Sequence, residues 1–265
     1  MAAYLMEHEE EAERLRLKTD AAVVTGQARW AGLKAGMRVL DAGCGAGVTA
    51  PVLFELAQPE GTVVGIDASE QRIDYARRHF QRPGVEYLCR DFRQELEGLG
   101  SFDFIWVRFV LEYHRQGGFG IVERLARLLK SGGILCLIDL DHNCLNHFGL
   151  SERLEKNLQG VMERLREAAD FDPFMGRKLY SFLFDLGFRD IDVQMTPHHL
   201  IFGELAEVDR YNWWRKLEVA ARRSDWDFSD YEQGFDGFAA EFKAFFENPR
   251  RFTYTPMIAC RGRRP

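Results

Sequence analysis

Three glycines, Gly43, Gly45 and Gly47, stand within five positions directly behind the apolar run "RVLDA" and ahead of "VTAPVLFELA". Backbone with so few side chains turns tightly and lets a ligand approach closely, and the helix N-terminus that follows offers free N–H groups and the positive end of a dipole. Acidic groups recur near the ends of apolar runs: Asp41, Asp67 closing "TVVGID", and Asp91 in "CRDF". Arg108 follows "FDFIWV", and His114, Asp139 and His142 are groups able to take a proton. No one of them is singled out as the catalytic group. Asp139, Asp141 and Asn143 offer oxygen ligands, and strand alternation would place the two acids on one face. Two acids at a strand terminus are commonplace, and no metal is expected.

The glycine spacing bears on which nucleotide the loop takes. A dinucleotide site wants G-x-G-x-x-G, whose third glycine would fall at position 48, where Val48 stands. The spacing is wrong for NAD, which leaves a different nucleoside cofactor or no ligand at all.

From Arg38 onward, short β-rich runs alternate with longer helical stretches, the pattern of a parallel sheet flanked by helices. The strands are "RVLDAG", "TVVGID", "VEYLC", "SFDFIWVRFV" and "GGILCLIDL", with helices through "VTAPVLFELA", "SEQRIDYARRHF" opened by Ser69, and "GIVERLARLLK". The fourth and fifth strands are nearly continuous in apolar residues, as strands covered on both faces are. After Asp141 an amphipathic helix intrudes, with Leu150, Leu154, Leu158, Val161 and Leu165 at helical spacing. The alternation resumes with "RKLYSFLFDLG" and "FRDIDVQM" and closes on "YTPMIACRG". Residues 203–250 separate the last two strands, too long for a plain connection, and form a structured cap together with an insertion at about 142–172.

Composition narrows the function classes. The chain has 265 residues, 46% of them hydrophobic, and a formal charge of −6. That balance does not suit a surface built to neutralise phosphates, and residues 203–250 carry eleven acidic against seven basic side chains. Nucleic acid is not expected as a partner. Five cysteines without a C-x-x-C pair argue for reduced thiols rather than zinc or a disulfide framework. The glutamate-rich start is unlike a secretory signal, and no apolar run reaches membrane-spanning length, so a soluble cytoplasmic protein is expected.

"VLDAGCGAG", the acidic "GID", "CRDF" and "FDFIWVRFVLEY" together resemble the S-adenosylmethionine site of class I methyltransferases, over about residues 31–195 and the last strand. The resemblance implies a doubly wound, mostly parallel seven-stranded α/β sheet, Rossmann-like, with helical cap insertions. It implies that Gly43, Gly45 and Gly47 cradle the cofactor, that Asp67 and the adjacent Ala68 meet the ribose, and that Asp91 accepts from the adenine amino group beside Phe92. Asp41 would meet the cofactor's ammonium group, and Arg108 would face its methionine part. Residues 1–30 resemble the helical cover of small-molecule members, in which Tyr4 and Arg14 would close the site, although Lys18 stands where that segment usually has glutamine.

The expected activity is methyl transfer to a small organic acceptor. A protein or RNA methyltransferase, or a non-catalytic S-adenosylmethionine-binding protein, are the alternatives. The acceptor is expected near His142, just past the fifth strand, and near Tyr211, Trp213 and Trp214 of "YNWW". The stripe Phe235, Phe238, Phe242, Phe245 and Phe246 reads most simply as the cap's own packing. Neither the methylated atom nor the oligomeric state is legible.

Overall fold

The structure, a computed structural model, describes residues 20–265. Helix α1 (Ala21–Ala31) is capped by Asp20, whose carboxylate accepts from the Ala22 N–H, and ends at Gly32 with φ 100°. There follow β1 (Arg38–Ala42), α2 (Ala50–Ala57), β2 (Thr62–Asp67), α3 (Glu70–Phe80), β3 (Val85–Cys89), β4 (Phe102–Arg108), α4 (Gly118–Arg127) and β5 (Leu129–Leu140). These five strands are parallel in the order β3-β2-β1-β4-β5. The order reverses between β1 and β4, so the connections leaving those two strands diverge and open a crevice at their carboxyl ends.

The chain continues through β6 (His147–Phe148), α5 (Glu152–Ala168), α6 (Leu179–Asp185), β7 (Arg189–Phe202), α7 (Glu207–Ser224), α8 (Phe235–Glu247) and β8 (Phe252–Arg263). β8 runs antiparallel between β5 and β7. The two-residue β6 pairs with the start of β8 and adds an eighth strand to the seven that the sequence pattern implies. β7 continues seven residues beyond "FRDIDVQM", to Phe202. β4 stops at Arg108, two residues short of the expected end, because Phe109 takes a left-handed φ of 57°.

Alternation along the central strands builds two apolar layers. Leu40, Val64, Ile105 and Leu135 pack with Ile121, Leu125, Leu179 and Leu183 of α4 and α6. Their chain neighbours Val39, Val63, Phe104 and Ile134 pack on the opposite face, against α1, α2 and α3. Val24, Ala28 and Ala31 of α1 belong to that second layer, so the described residues before position 31 are part of the α/β core rather than a cover over it. A third cluster joins α5, α7 and α8 through Leu154, Leu158, Leu165, Trp213, Leu217 and Phe242. Gly160 is required there: a Cβ would stand 2.3 Å from the Trp226 ring, whose Nε1 donates to Asn157 Oδ1 at 2.9 Å.

Candidate active site

Gly43 N and Cys44 N both donate to Ile66 O, at 2.8 and 3.0 Å, which ties the turn after β1 to the end of β2. Gly43 has φ 78°, and a Cβ there would lie 2.4 Å from Val110 Cγ2. Gly47, at φ 84°, serves packing instead: a Cβ would meet Ala76 Cβ at 2.7 Å and the Tyr87 ring at 3.0 Å. Gly47→Ala is therefore expected to cost about 1–3 kcal/mol through overpacking against α3 and β3. Thermal melts should show a drop of roughly 2–4 °C per kcal/mol for a domain of this size. An unchanged melt would show that α3 can yield.

Gly45 N donates to Asp67 Oδ2 at 3.0 Å, and Ser69 N donates to Asp67 Oδ1 at 2.9 Å. Arg72 Nη2 stands 3.5 Å from the same carboxylate, which is 5% exposed. Asp67 thus clamps the glycine turn to the start of α3 while remaining on the cavity wall.

Asp41 is buried in β1 and accepts from Thr49 Oγ1 at 2.5 Å. Burial pushes its carboxyl up to about 7, although the Thr49 hydrogen bond and the Arg108 charge pull the other way. Burial also lowers the Arg108 guanidinium to about 10, with the Asp41 and Asp139 charges opposing. Among the described residues Arg108 Nε is a buried donor without an acceptor. Asp91 is held below its usual range by Arg93, which donates to both carboxylate oxygens at 2.9 and 2.8 Å. Phe92 meets the His114 ring edge-on at 5.6 Å between centroids.

At the ends of β4 and β5 the buried Asp139 accepts from Glu112 N at 3.1 Å and from Leu140 N at 3.0 Å. Burial and the adjacent Glu112 charge raise its carboxyl well above the usual range. Asn143 Nδ2 donates to Glu112 Oε2 at 2.9 Å. Asp139 and Asp141 do not share a face as strand alternation would have it. β5 ends at Leu140, and Asp141 forms a bidentate pair with Arg177 at 2.9 and 3.0 Å.

A cavity of about 690 Å³ runs from the glycine turn to the insertion helices. Its wall includes Asp41, Gly43, Gly45, Asp67, Ala68, Asp91, Phe92 and Arg108, together with His114 and Trp213. Gly47, His142, Tyr211 and Trp214 do not line it. His142 sits beside Asp141 and Arg177, with φ 48°. Tyr211 is half exposed, and Trp214 packs edge-on against Phe242 and Phe246. Tyr4 and Arg14 lie outside the described residues. Sequence reasoning missed Thr49, Arg72, Arg93, Glu112, Cys144, His198 and Lys216, all on the wall.

Residues 39–133 match the family described as "Methyltransferase domain". The chain is 30% identical over 109 residues to malonyl-[acyl-carrier protein] O-methyltransferase of Acetivibrio thermocellus, covering 41% of this chain and 38% of that one. It is 33% identical over 110 residues to ubiquinone biosynthesis O-methyltransferase of Coxiella burnetii, covering 41% and 45%. The chain thus matches less than half the length of these curated relatives. Phosphoethanolamine N-methyltransferase 2 of Haemonchus contortus, solved in complex with S-adenosyl-L-methionine, shares the fold with a TM-score of 0.57 at 16% identity, over 92% of this chain and 52% of that one. No helix among the described residues is long and apolar enough to cross a membrane.

Proposed function

We propose that the protein is a cytoplasmic S-adenosylmethionine-dependent methyltransferase acting on a small organic acceptor. The observation that carries this reading is the Asp67 carboxylate, buried on the cavity wall and fixed by the Gly45 and Ser69 N–H groups beside a turn that has no room for a Cβ at Gly43. A carboxylate so placed at the end of the second strand is preorganised to accept from two ribose hydroxyls. Asp41 and Arg108 offer an acidic and a basic group to the amino-acid end of the cofactor, and the buried Arg108 Nε fits an anionic partner. Asp91 and Phe92 bound the side assigned to the adenine.

When bound, S-adenosylmethionine supplies a methyl group already activated on a sulfonium. The protein's contribution is then to orient the acceptor in line and to exclude water. The insertion helices supply an apolar wall for that purpose through Leu158, Met162, Leu165 and Leu217. The acidic excess of residues 203–250, eleven acidic against seven basic side chains, favours a small molecule over nucleic acid as acceptor.

Calorimetry with S-adenosylmethionine, S-adenosylhomocysteine and NAD tests the reading: the first two should bind and NAD should not. The pH dependence carries further information, because a carboxyl at about 7 is half protonated at neutral pH and must ionise to meet an ammonium group. From the carboxyl alone, affinity should therefore rise roughly eightfold between pH 6 and 7.5, with proton release on binding. Above that range the ligand's own amino group, at about 7.7–8.0, begins to lose its charge. Asp41→Asn should flatten the profile, and a flat profile in the unaltered protein would remove Asp41 from this role.

A further inference from the structure

Lys216 projects from α7 onto the cavity wall and is half-buried there. Its Nζ lies 3.8 Å from Cys144 Sγ and 4.9 Å from the centre of the Trp213 ring. Among the described residues no carboxylate stands within 4.0 Å of it, whereas Arg72 and Arg93 on the same wall are paired with Asp67 and Asp91; Arg108, which has no such ion pair, faces Asp41. A thiol is a weak acceptor, and an ammonium group has three donors to place. An indole face contributes attraction but takes no full hydrogen bond.

The surroundings of this cation are otherwise apolar. Leu158, Val161, Met162, Leu165, Leu217 and Phe238 line the adjoining part of the cavity. The polar groups near Lys216 form a chain toward the strand ends: Cys144 Sγ donates to Asn143 Oδ1 at 3.3 Å, and Asn143 Nδ2 donates to Glu112 Oε2. Cys144 holds a left-handed φ of 64°, two residues after His142 at 48°, so the loop behind β5 is strained where it meets Lys216. The charge therefore stands where the apolar chamber joins the crevice at the ends of β4 and β5.

We propose that the chamber takes an amphipathic organic anion, with its apolar body among the α5, α7 and α8 side chains and its anionic group on the Lys216 ammonium. This rests on the methyltransferase reading for what happens to the ligand, but not for the binding itself. An anion at Lys216 gains a charge-assisted hydrogen bond in a site of low polarity, and a neutral isostere does not. The carboxylate or phenolate of the acceptor faces the crevice as a result, and its body points away from it.

The test compares 2-naphthoate with the isosteric 2-naphthamide by calorimetry on the full chain, with S-adenosylhomocysteine present and absent. The unaltered protein should bind naphthoate about tenfold more tightly than naphthamide. Lys216→Met should abolish that preference while leaving naphthamide affinity within twofold, and Lys216→Arg should keep most of it. Equal affinity for the two compounds, failure of both to bind, or a preference that survives in Lys216→Met would overturn the proposal. If S-adenosylhomocysteine fails to bind, the cofactor reading falls. The naphthoate contrast in its absence then still decides the role of Lys216.

Discussion

Asp67→Ala should weaken S-adenosylhomocysteine binding by about 1–3 kcal/mol, five- to more than a hundredfold, while the sheet stays folded. Two losses add. The ribose hydroxyls lose a charged acceptor, and the Gly45 and Ser69 N–H groups, held at 3.0 and 2.9 Å, lose the carboxylate that fixes the turn against α3. Asp67→Asn should not be much milder, because both oxygens accept from backbone donors and the amide nitrogen must face one of them. Arg72, 3.5 Å away, would also lose its counter-charge. Calorimetry on both variants, with circular dichroism to establish folding, reads the effect. Wild-type affinity in a folded Asp67→Ala protein would sink the cofactor assignment.

The glycine turn and Asp67 were legible because everything that places them is local. A buried strand, a tight turn and a capped helix fix their positions within some thirty residues, and parallel pairing of β1 with β2 brings Asp67 onto Gly45. The amphipathic insertion helix was legible for the same reason, since its periodicity is carried by one element. The acceptor side was not. Its wall draws on the β5–β6 loop, α5 and α7, distant in sequence, so Lys216 and Cys144 meet only through tertiary packing.

Choosing Tyr211, Trp213 and Trp214 by residue type also ignored helical geometry. Residues one or two apart on a helix point in different directions, so only Trp213 of the three reaches the cavity. His142 was placed by its position after a strand. The chain turns at Asp141, which engages Arg177, and leaves the imidazole beside that pair rather than on the cavity wall. Thr49, which donates to Asp41, could have been suspected as a hydroxyl close behind the glycine turn.

Trp213 and Trp214 should separate sharply when each is truncated. Trp213 is 1% exposed, stacks obliquely on Phe246 with centroids 4.6 Å apart, and meets the edge of His147 at 5.4 Å. His147 is itself locked between Thr253 Oγ1 and the Cys144 carbonyl, and burial lowers it to about 4, so it is a neutral packing partner at pH 7. Trp213→Ala removes a large ring from the centre of this cluster and should cost about 3–5 kcal/mol. Trp214 is only partly buried, against Phe242 and Phe246 with Lys243 over its face, and its truncation should cost well under half as much. The glycine turn and Asp67 belong to other layers, so S-adenosylhomocysteine affinity should stay within a few-fold in both variants. Hydrogen exchange should show protection lost first in α5, α7 and α8, with the parallel strands unaffected. Equal losses of melting temperature for the two variants, or cofactor affinity falling in step with Trp213→Ala, would mean that the insertion helices and the nucleotide crevice fold as one cooperative unit.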